Sequence, residues 1–386
     1  MRRGAALRRG RRLRSALVQA VGVAAAAALG LLVPGISAGA TVESPRVVEL
    51  LVAVGASFVP FIAIIYSLLF LVVQFSSTAF TPRLNLFRDS PIVWRAFSFF
   101  TGVIVFCFTT AFAIGKAPQT TVLVPIIVVV LLLVAIAVFR ALQASAFRSI
   151  QLASTLSEVA RRGRRVVDDV YPDQTTEAPA GSGRAPAAGE VRWPARAATL
   201  QAIDVPALVR CAERADVVIE LCVQPGQVIP EHGRVALVHG DGEVPAHELL
   251  RALQTGIERT FDQDPTMALR VLADIALRAL SPAVNDPTTA IQALDEIDSL
   301  LRQIVNRDLA VEIVNGSGDR PRLRLRLPTW DDYVTVAVDE ITATASSSRP
   351  VRERVDRLLT ELIAIAPAGR AEALQARVGH APQLQR

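Results

Sequence analysis

The sequence predicts a membrane α-helical N-terminal region of four transmembrane helices joined to an α+β domain, helix-dominated toward its C-terminus. Three observations predict this class. Four apolar runs lie in the first part of the chain, at 15–36, 47–75, 92–115 and 121–143, and each meets the ~20 residues needed to cross a hydrocarbon core. The remainder has ordinary globular polarity, which reconciles 51% hydrophobic residues and a mean hydropathy of +0.38 with 20% charged residues. The positive charge sits beside the apolar runs, at Arg2, Arg3, Arg8, Arg9, Arg11, Arg12 and Arg14 and again at Arg161, Arg162, Arg164 and Arg165.

The expected organisation is a four-helix transmembrane domain over 1–143, a juxtamembrane helical stalk over 144–171, a flexible Pro/Ala/Gly-rich loop over 172–198 and a cytoplasmic α+β domain over 199–380. The second run is longer than a crossing requires, and Gly55 and Pro60 predict a kink in it. Short connections follow at 37–46, 76–91 and 116–120. Arginine placement orients the bundle. The N-terminal arm, the 76–91 region with Arg83 and Arg88 (and Arg95 just beyond), and the stretch after the fourth run are basic, whereas the other two connections hold only Arg46 and Lys116. All basic regions fall on one side when both termini are cytoplasmic and the chain is a multi-pass protein of the plasma (inner) membrane. A competing expectation is a cleaved signal peptide, with Ala38-Gly39-Ala40 as the small-residue site.

The expected partners follow from the same pattern. The lipid bilayer is one, a second copy of the chain is another, and nucleic acid is not expected although the pI is 9.7, because the arginines flank membrane segments. No cofactor is indicated. Cys107, Cys211 and Cys222 form no CxxC or haem motif, Lys116 is the only lysine, and His232, His239 and His247 lack a metal-ligand repeat. No charged residue occupies the middle of a crossing, which argues against proton-coupled carriers and voltage sensors. Ser98, Thr101, Cys107, Thr109 and Thr110 make the third run mildly polar, read either as hydrogen bonding within and between helices or as a pore path. Loop 76–91, with Phe80, Arg83, Phe87 and Arg88, has an interfacial composition.

In the C-terminal half, one helix is expected to run from the fourth crossing through 144–170. Strands are expected at TLQAIDV and VVIELCV, a helix at PALVRCAERAD, and a hairpin or small sandwich in PGQVIPEHGRVALV. Amphipathic helices are expected at 245–261, 266–280 and 287–306, then a strand at RLRLRLP whose arginines protect a sheet edge, then further helices over 330–378.

The segment SPAVNDPTTA, residues 281–290, joins two of these helices. Asp286 suits an N-cap and Pro287 the first helical position, so the local chemistry makes a rigid corner. The same residues also offer a candidate ligand site. Thr288 and Thr289 bring hydroxyls to a helix N-terminus, Asn285 and Asp286 bring polar oxygens, and Arg259 with Asp264 lies close in sequence. No HExxH, GxSxG, P-loop or GxGxxG motif is present, and no catalytic residue is assigned.

ALRALSPAVNDPTTA, preceded by IERTFDQDPTMALRVLADIAL, resembles the signature stretch of the DUF2254 family of predicted bacterial membrane proteins. FTPRL (80–84), PGQV (225–228) and WDDYVTVAVDEI (330–341) resemble that family's layout as well. The resemblance implies a four-crossing region and a family-specific cytoplasmic domain, and it implies no biochemical activity. Three functions are therefore weighed. The first is an oligomeric channel-like or regulatory protein whose cytoplasmic domain senses a ligand or partner. The others are an enzyme acting near lipid headgroups through acidic residues around 262–286, and an assembly scaffold.

Overall fold

A computed structural model describes residues 5–36, 40–79, 91–171, 187–309 and 313–378. It forms two compact units, one of Arg9–Thr155 and one built from Leu156–Arg386. The first holds helices α1 (Ala5–Leu32, ending in a 3-10 turn at Val33–Gly35), α2 (Ser44–Ala79), α3 (Pro91–Ile114) and α4 (Leu123–Ile150). Three stretches are long and apolar enough to cross a membrane: Ser44–Val72, Ile92–Ile114 and Leu123–Arg148. Within α1 the apolar helical stretch is shorter, Gln19–Gly35.

Small residues and aromatic rings fix how these helices meet. A Cβ added at Gly30 of α1 would lie 2.0 Å from Thr109 Oγ1 of α3, and one at Gly102 would meet Ala26, so α1 and α3 run parallel. Gly55 of α2 approaches Cys107 of α3, while Phe61 stacks on Phe100 and Phe58 meets it tilted, so α2 and α3 run antiparallel. Gly55 thus serves close packing, and α2 remains helical through Pro60. Strand β1 (Thr41–Glu43) pairs antiparallel with β2 (Gln119–Thr121), setting Val42 opposite Thr120. The connections at 37–46 and 116–120 therefore meet at one end of the bundle, a pairing that their composition did not signal. On α3, Ser98 Oγ donates to the Trp94 carbonyl and Thr109 Oγ1 to the Val105 carbonyl, which satisfies these hydroxyls on their own helix. Phe80, Arg83, Phe87 and Arg88 of the expected interfacial loop lie outside the described residues, as do Ala38 and Gly39.

The helix expected to run unbroken over 144–170 is interrupted. Gln151 is extended (φ −73°, ψ 123°), and α5 (Leu152–Val170) starts after it. The break separates a helix that is apolar on all sides from one with a single apolar stripe, a change of partner that no Gly or Pro marks.

The second unit continues with β3 (Ala187–Arg192), β4 (Ala198–Ile203), α6 (Val205–Ala215), β5 (Val218–Leu221), β6 (Val228–Ile229), β7 (Arg234–His239), α7 (Ala246–Arg251) and β8 (Leu253–Gly256). Then come α8 (Met267–Ala279), α9 (Pro287–Ile304), β9 (Ile313–Asn315), β10 (Pro321–Arg324), α10 (Trp330–Val334), a π-helical turn (Thr335–Asp339), α11 (Glu340–Thr344), α12 (Arg349–Ile365) and α13 (Ala368–Gln375). One sheet has the order β3-β7-β5-β10-β9 and a second has the order β6-β4-β8.

Four sequence expectations change here. The loop expected over 172–198 contains β3, which pairs with β7. The expected hairpin in PGQVIPEHGRVALV is split, because β6 pairs with β4 and β7 with β3 and β5. The helix expected over 245–261 stops at Arg251, since Leu253–Gly256 completes the second sheet beside β4. The arginine strand is no edge: β10 pairs parallel with β5 and antiparallel with β9. Leu323 of β10, and Leu325 and Leu327 just beyond it, are buried as the alternation predicts, and Arg322 reaches Asp216 at 2.7 Å.

The core of this unit is the α8–α9 hairpin with α5 laid against it. Leu156, Val159, Ala160, Val166 and Val167 of α5 are buried. A Cβ added at Gly163 would lie 2.5 Å from the Ala268 Cβ of α8 and 3.2 Å from Leu300 of α9. Polar contacts seal the rim: Ser157 donates to Glu296 at 2.7 Å, and Gln303 and Arg307 each reach Asp168 at 2.7 Å. Gly163→Ala is expected to destabilise the protein by about 1–3 kcal/mol through overpacking. Gly369→Ala on α13, where nothing lies within 4 Å, is expected to change stability by no more than about 0.5 kcal/mol. Urea unfolding of the detergent-solubilised chain, followed by tryptophan fluorescence, compares the two.

Candidate functional site

The corner at 281–290 is built by its own hydrogen bonds. Ser281 Oγ donates to the Arg278 carbonyl (2.7 Å), and the backbone N–H groups of Val284 and Asn285 return to the Ser281 carbonyl. Asn285 takes a left-handed conformation (φ 47°), which asparagine tolerates better than most residues. This reversal lets Asp286 N–H reach the Ala279 carbonyl (2.8 Å) and cap α9. The Asp286 carboxylate accepts from Thr289 N–H (3.1 Å) and Thr289 Oγ1 (2.5 Å), and the Thr288 N–H also favours its charged form. These bonds hold the Asp286 carboxyl below the ordinary aspartate range. The first N–H groups of α9, which an external anion would need, are thus already engaged. What remains open is the outer surface: Pro282, Ala283, Val284, Asn285 and Thr288 are exposed, and the Asn285 amide makes no hydrogen bond within the described residues.

Arg259 and Asp264 belong to a different place. They flank the start of α8, whereas the corner follows its end, and thirteen residues of helix put about 20 Å between them. The six residues expected as one ligand set therefore form two groups. Asp264 is buried and saturated: one carboxylate oxygen accepts from Arg259 Nε (2.8 Å) and an Arg259 terminal nitrogen (2.6 Å), the other from Thr266 N–H (3.0 Å) and Thr266 Oγ1 (2.8 Å). Burial pushes the Asp264 carboxyl upward, and the Arg259 guanidinium and Thr266 pull against it. A carboxylate with all its acceptor positions filled has none left for a metal or a substrate proton. Among the described residues, no cluster of three His, Cys, Asp or Glu could hold a metal ion. His239 instead pairs with Glu220 at 3.0 Å.

Gly226 joins this second group, and sequence reasoning missed its role. Its φ of +89° brings the PGQV backbone onto the ion pair, where a Cβ would meet Asp264 Oδ2 at 2.1 Å and Arg259 Nε at 3.0 Å. The Pro-Gly dipeptide marked the turn but not what it approaches. Also unforeseen is the contact between Tyr171, just beyond α5, and Tyr333 of α10. Both are fully buried, their hydroxyls are 2.8 Å apart, and burial pushes Tyr171 up to about 12 and Tyr333 well above its ordinary value.

A family model described as a predicted membrane protein (DUF2254) matches residues 13–361. The chain belongs to the DUF2254 family. Proteins of Mycobacterium tuberculosis and Mycobacterium bovis, both described as uncharacterised, are 27% identical to it over 310 residues. The match covers 75% of this chain and 58% of each relative, so the DUF2254 chain spans less than two thirds of the length of these curated relatives. No solved structure matches it. Of the stretches that carried the family resemblance, the structure places the corner, the Arg259–Asp264 lock with PGQV, and the helical segment containing Tyr333, while FTPRL (80–84) lies outside the described residues.

Two predictions separate the groups. Asp286→Ala is expected to cost about 1 kcal/mol through the lost cap. The lowered carboxyl value gives the sign of the pH effect: the cap stabilises above the unfolded aspartate range, and its contribution is lost as pH falls through the folded value. The stability gap between wild type and Asp286→Ala is therefore expected to close on acidification, which thermal melts at pH 7 and pH 3 compare. Asp264→Ala is expected to cost about 3 kcal/mol or more, because it strands a partly buried Arg259 and two Thr266 donors. Denaturant midpoints of the two variants at pH 7 give the comparison.

Proposed function

We propose that this DUF2254 protein is a regulatory membrane protein in which a cytoplasmic domain engages a soluble partner or ligand and passes that engagement to the membrane helices. The observation that carries this reading is the position of α5. It follows α4 after a single residue, and its apolar stripe is part of the core of the C-terminal unit, pressed at Gly163 against both helices of the α8–α9 hairpin. That hairpin ends in the exposed corner at 281–290. A load on the corner therefore acts on two helices that both touch the one leading to the membrane.

The reading includes four crossings, with both termini on the cytoplasmic side of the inner membrane. Support comes from the three long apolar stretches, the parallel packing of α1 on α3, the pairing of β1 with β2 at one end, and the basic residues Arg140 and Arg148 in the C-terminal part of α4 and Arg161 and Arg165 in α5. A second copy of the chain is a proposed partner, since most of each apolar stretch faces outward from the bundle. The regulatory form is favoured over a pore because the Ser98 and Thr109 hydroxyls are spent on their own helix, and the Thr101 and Thr110 hydroxyls, which have no hydrogen-bond partner among the described residues, are buried in the helix packing. It is favoured over an enzyme because Asp264 and Asp286 are committed to structural bonds.

Insertion of a protease site among residues 172–186 tests the coupling. After cleavage in membranes, the 187–386 fragment is expected to stay with α5 and sediment with the membrane until denaturant is added. Release of that fragment by buffer alone would refute the mechanical link.

A further inference from the structure

We infer that the π-helical turn at Thr335–Asp339 is a register switch that holds the end of α5 through the Tyr171–Tyr333 contact. The inference rests on the coupling reading above and names the element that would change state.

Residues 330–344 form one continuous helical rod: α10, the π-turn and α11. A π-turn closes i→i+5 hydrogen bonds, accommodates one surplus residue per turn, and, although rare, is frequently found at functional sites. Here it starts two residues after Tyr333, whose hydroxyl meets that of Tyr171 at 2.8 Å with the two rings edge to face. The N-terminal end of the rod is fixed by a capping box, Thr329 with Asp332. Its C-terminal part is tied to α8, where Arg270 reaches both carboxylate oxygens of Glu340 (2.6 and 3.1 Å).

A single guanidinium spans the surplus turn. Arg377, in the turn after α13, donates to Asp331 (2.9 Å), to Thr335 Oγ1 (2.8 Å) and to both oxygens of Asp339 (2.7 and 3.2 Å). These partners lie before, at the start of and at the end of the π-turn. Their common approach to one guanidinium depends on the register of the turn, because each residue added or removed rotates a helix by about 100°. If 335–339 closed to α-helical bonding, the two halves of the rod would rotate relative to each other by that amount. Tyr333 and Ile341, both fully buried, could not then keep their sockets together. The Tyr171 contact would open while Arg270 still held the α11 end. The described structure is the latched state, with Arg377 as its positioning residue.

The chain has three tyrosines, and two of them form the latch. The third, Tyr66, lies on α2 beside Phe97. Full-length protein in lipid nanodiscs, labelled with 3-fluorotyrosine, therefore gives three fluorine resonances, assigned with Tyr66→Phe, Tyr171→Phe and Tyr333→Phe. The inference predicts two exchanging states for Tyr171 and Tyr333, with Arg377→Ala raising the minor population at least threefold. Asp339→Asn, a milder change to the same clamp, is expected to shift it in the same direction. Single resonances for both tyrosines that neither variant alters would overturn the switch. So would a loss of sheet protection in hydrogen exchange that parallels every spectral change, since that reports unfolding and not a change of register. Tyr66 separates the two levels: exchange at Tyr171 and Tyr333 with Tyr66 unmoved upholds the switch and refutes coupling to the membrane helices.

Discussion

The close approach of α5 to the α8–α9 hairpin at Gly163 is the constraint on which the second unit depends. A helix that follows a membrane-length helix after one residue is part of the core of a polar domain, and only a residue without a side chain lets it lie so near Ala268 and Leu300. From that seating follow the buried stripe from Leu156 to Val167, the sealing contacts of Asp168, and the arrival of Tyr171 within reach of Tyr333. Interiors packed to crystal-like density transmit displacement well. The same closeness that stabilises the seat leaves α5 no room to shift against α8 and α9 without a steric clash.

Arginine does much of the tying between elements. In the sequence the arginines read as topology signals and as protection for a strand edge. In the folded unit, Arg354 joins α12 to Asp295 and Asp298 of α9, and Arg370 of α13 caps the end of α9 through the Ile304 and Val305 carbonyls. Arg307 links the chain after α9 to Asp168 and to the Tyr171 carbonyl. The planar fork of guanidinium suits such bridging, since one group can bind two acceptors in fixed directions. With one lysine in the chain, almost all cationic contacts take this directional form.

The elements that were legible in the sequence are those whose pattern is local. The apolar runs gave α2, α3 and α4, the 3.6-residue stripe gave α8 and α9, and Asp286-Pro287 gave the start of α9 almost to the residue. The misread elements were settled by distant partners. Leu253–Gly256 looked like the tail of a helix until β4 supplied a neighbour, and RLRLRLP looked like an edge because alternation reports which face is buried, not how many strands flank it. For the candidate site the chemistry of each residue was legible but not their separation. Thirteen residues of α8 intervene between Asp264 and Asp286, and a linear reading of acidic residues cannot tell the near end of a helix from the far one. Gly226 and Tyr171 were invisible for the same reason, since their partners lie 38 and 162 positions away.

The short ribbon of β1 and β2 has a consequence for the bundle. Because it joins the connections before α2 and before α4, those two helices are clipped together where they begin. The alignment of the pair is therefore set twice: the ribbon fixes where the two helices start, and further along Phe139 of α4 meets Phe61 of α2 edge on, with Leu142 and Ala146 buried in the bundle core. Any slide of α4 past α2 must break a strand pairing as well as side-chain packing.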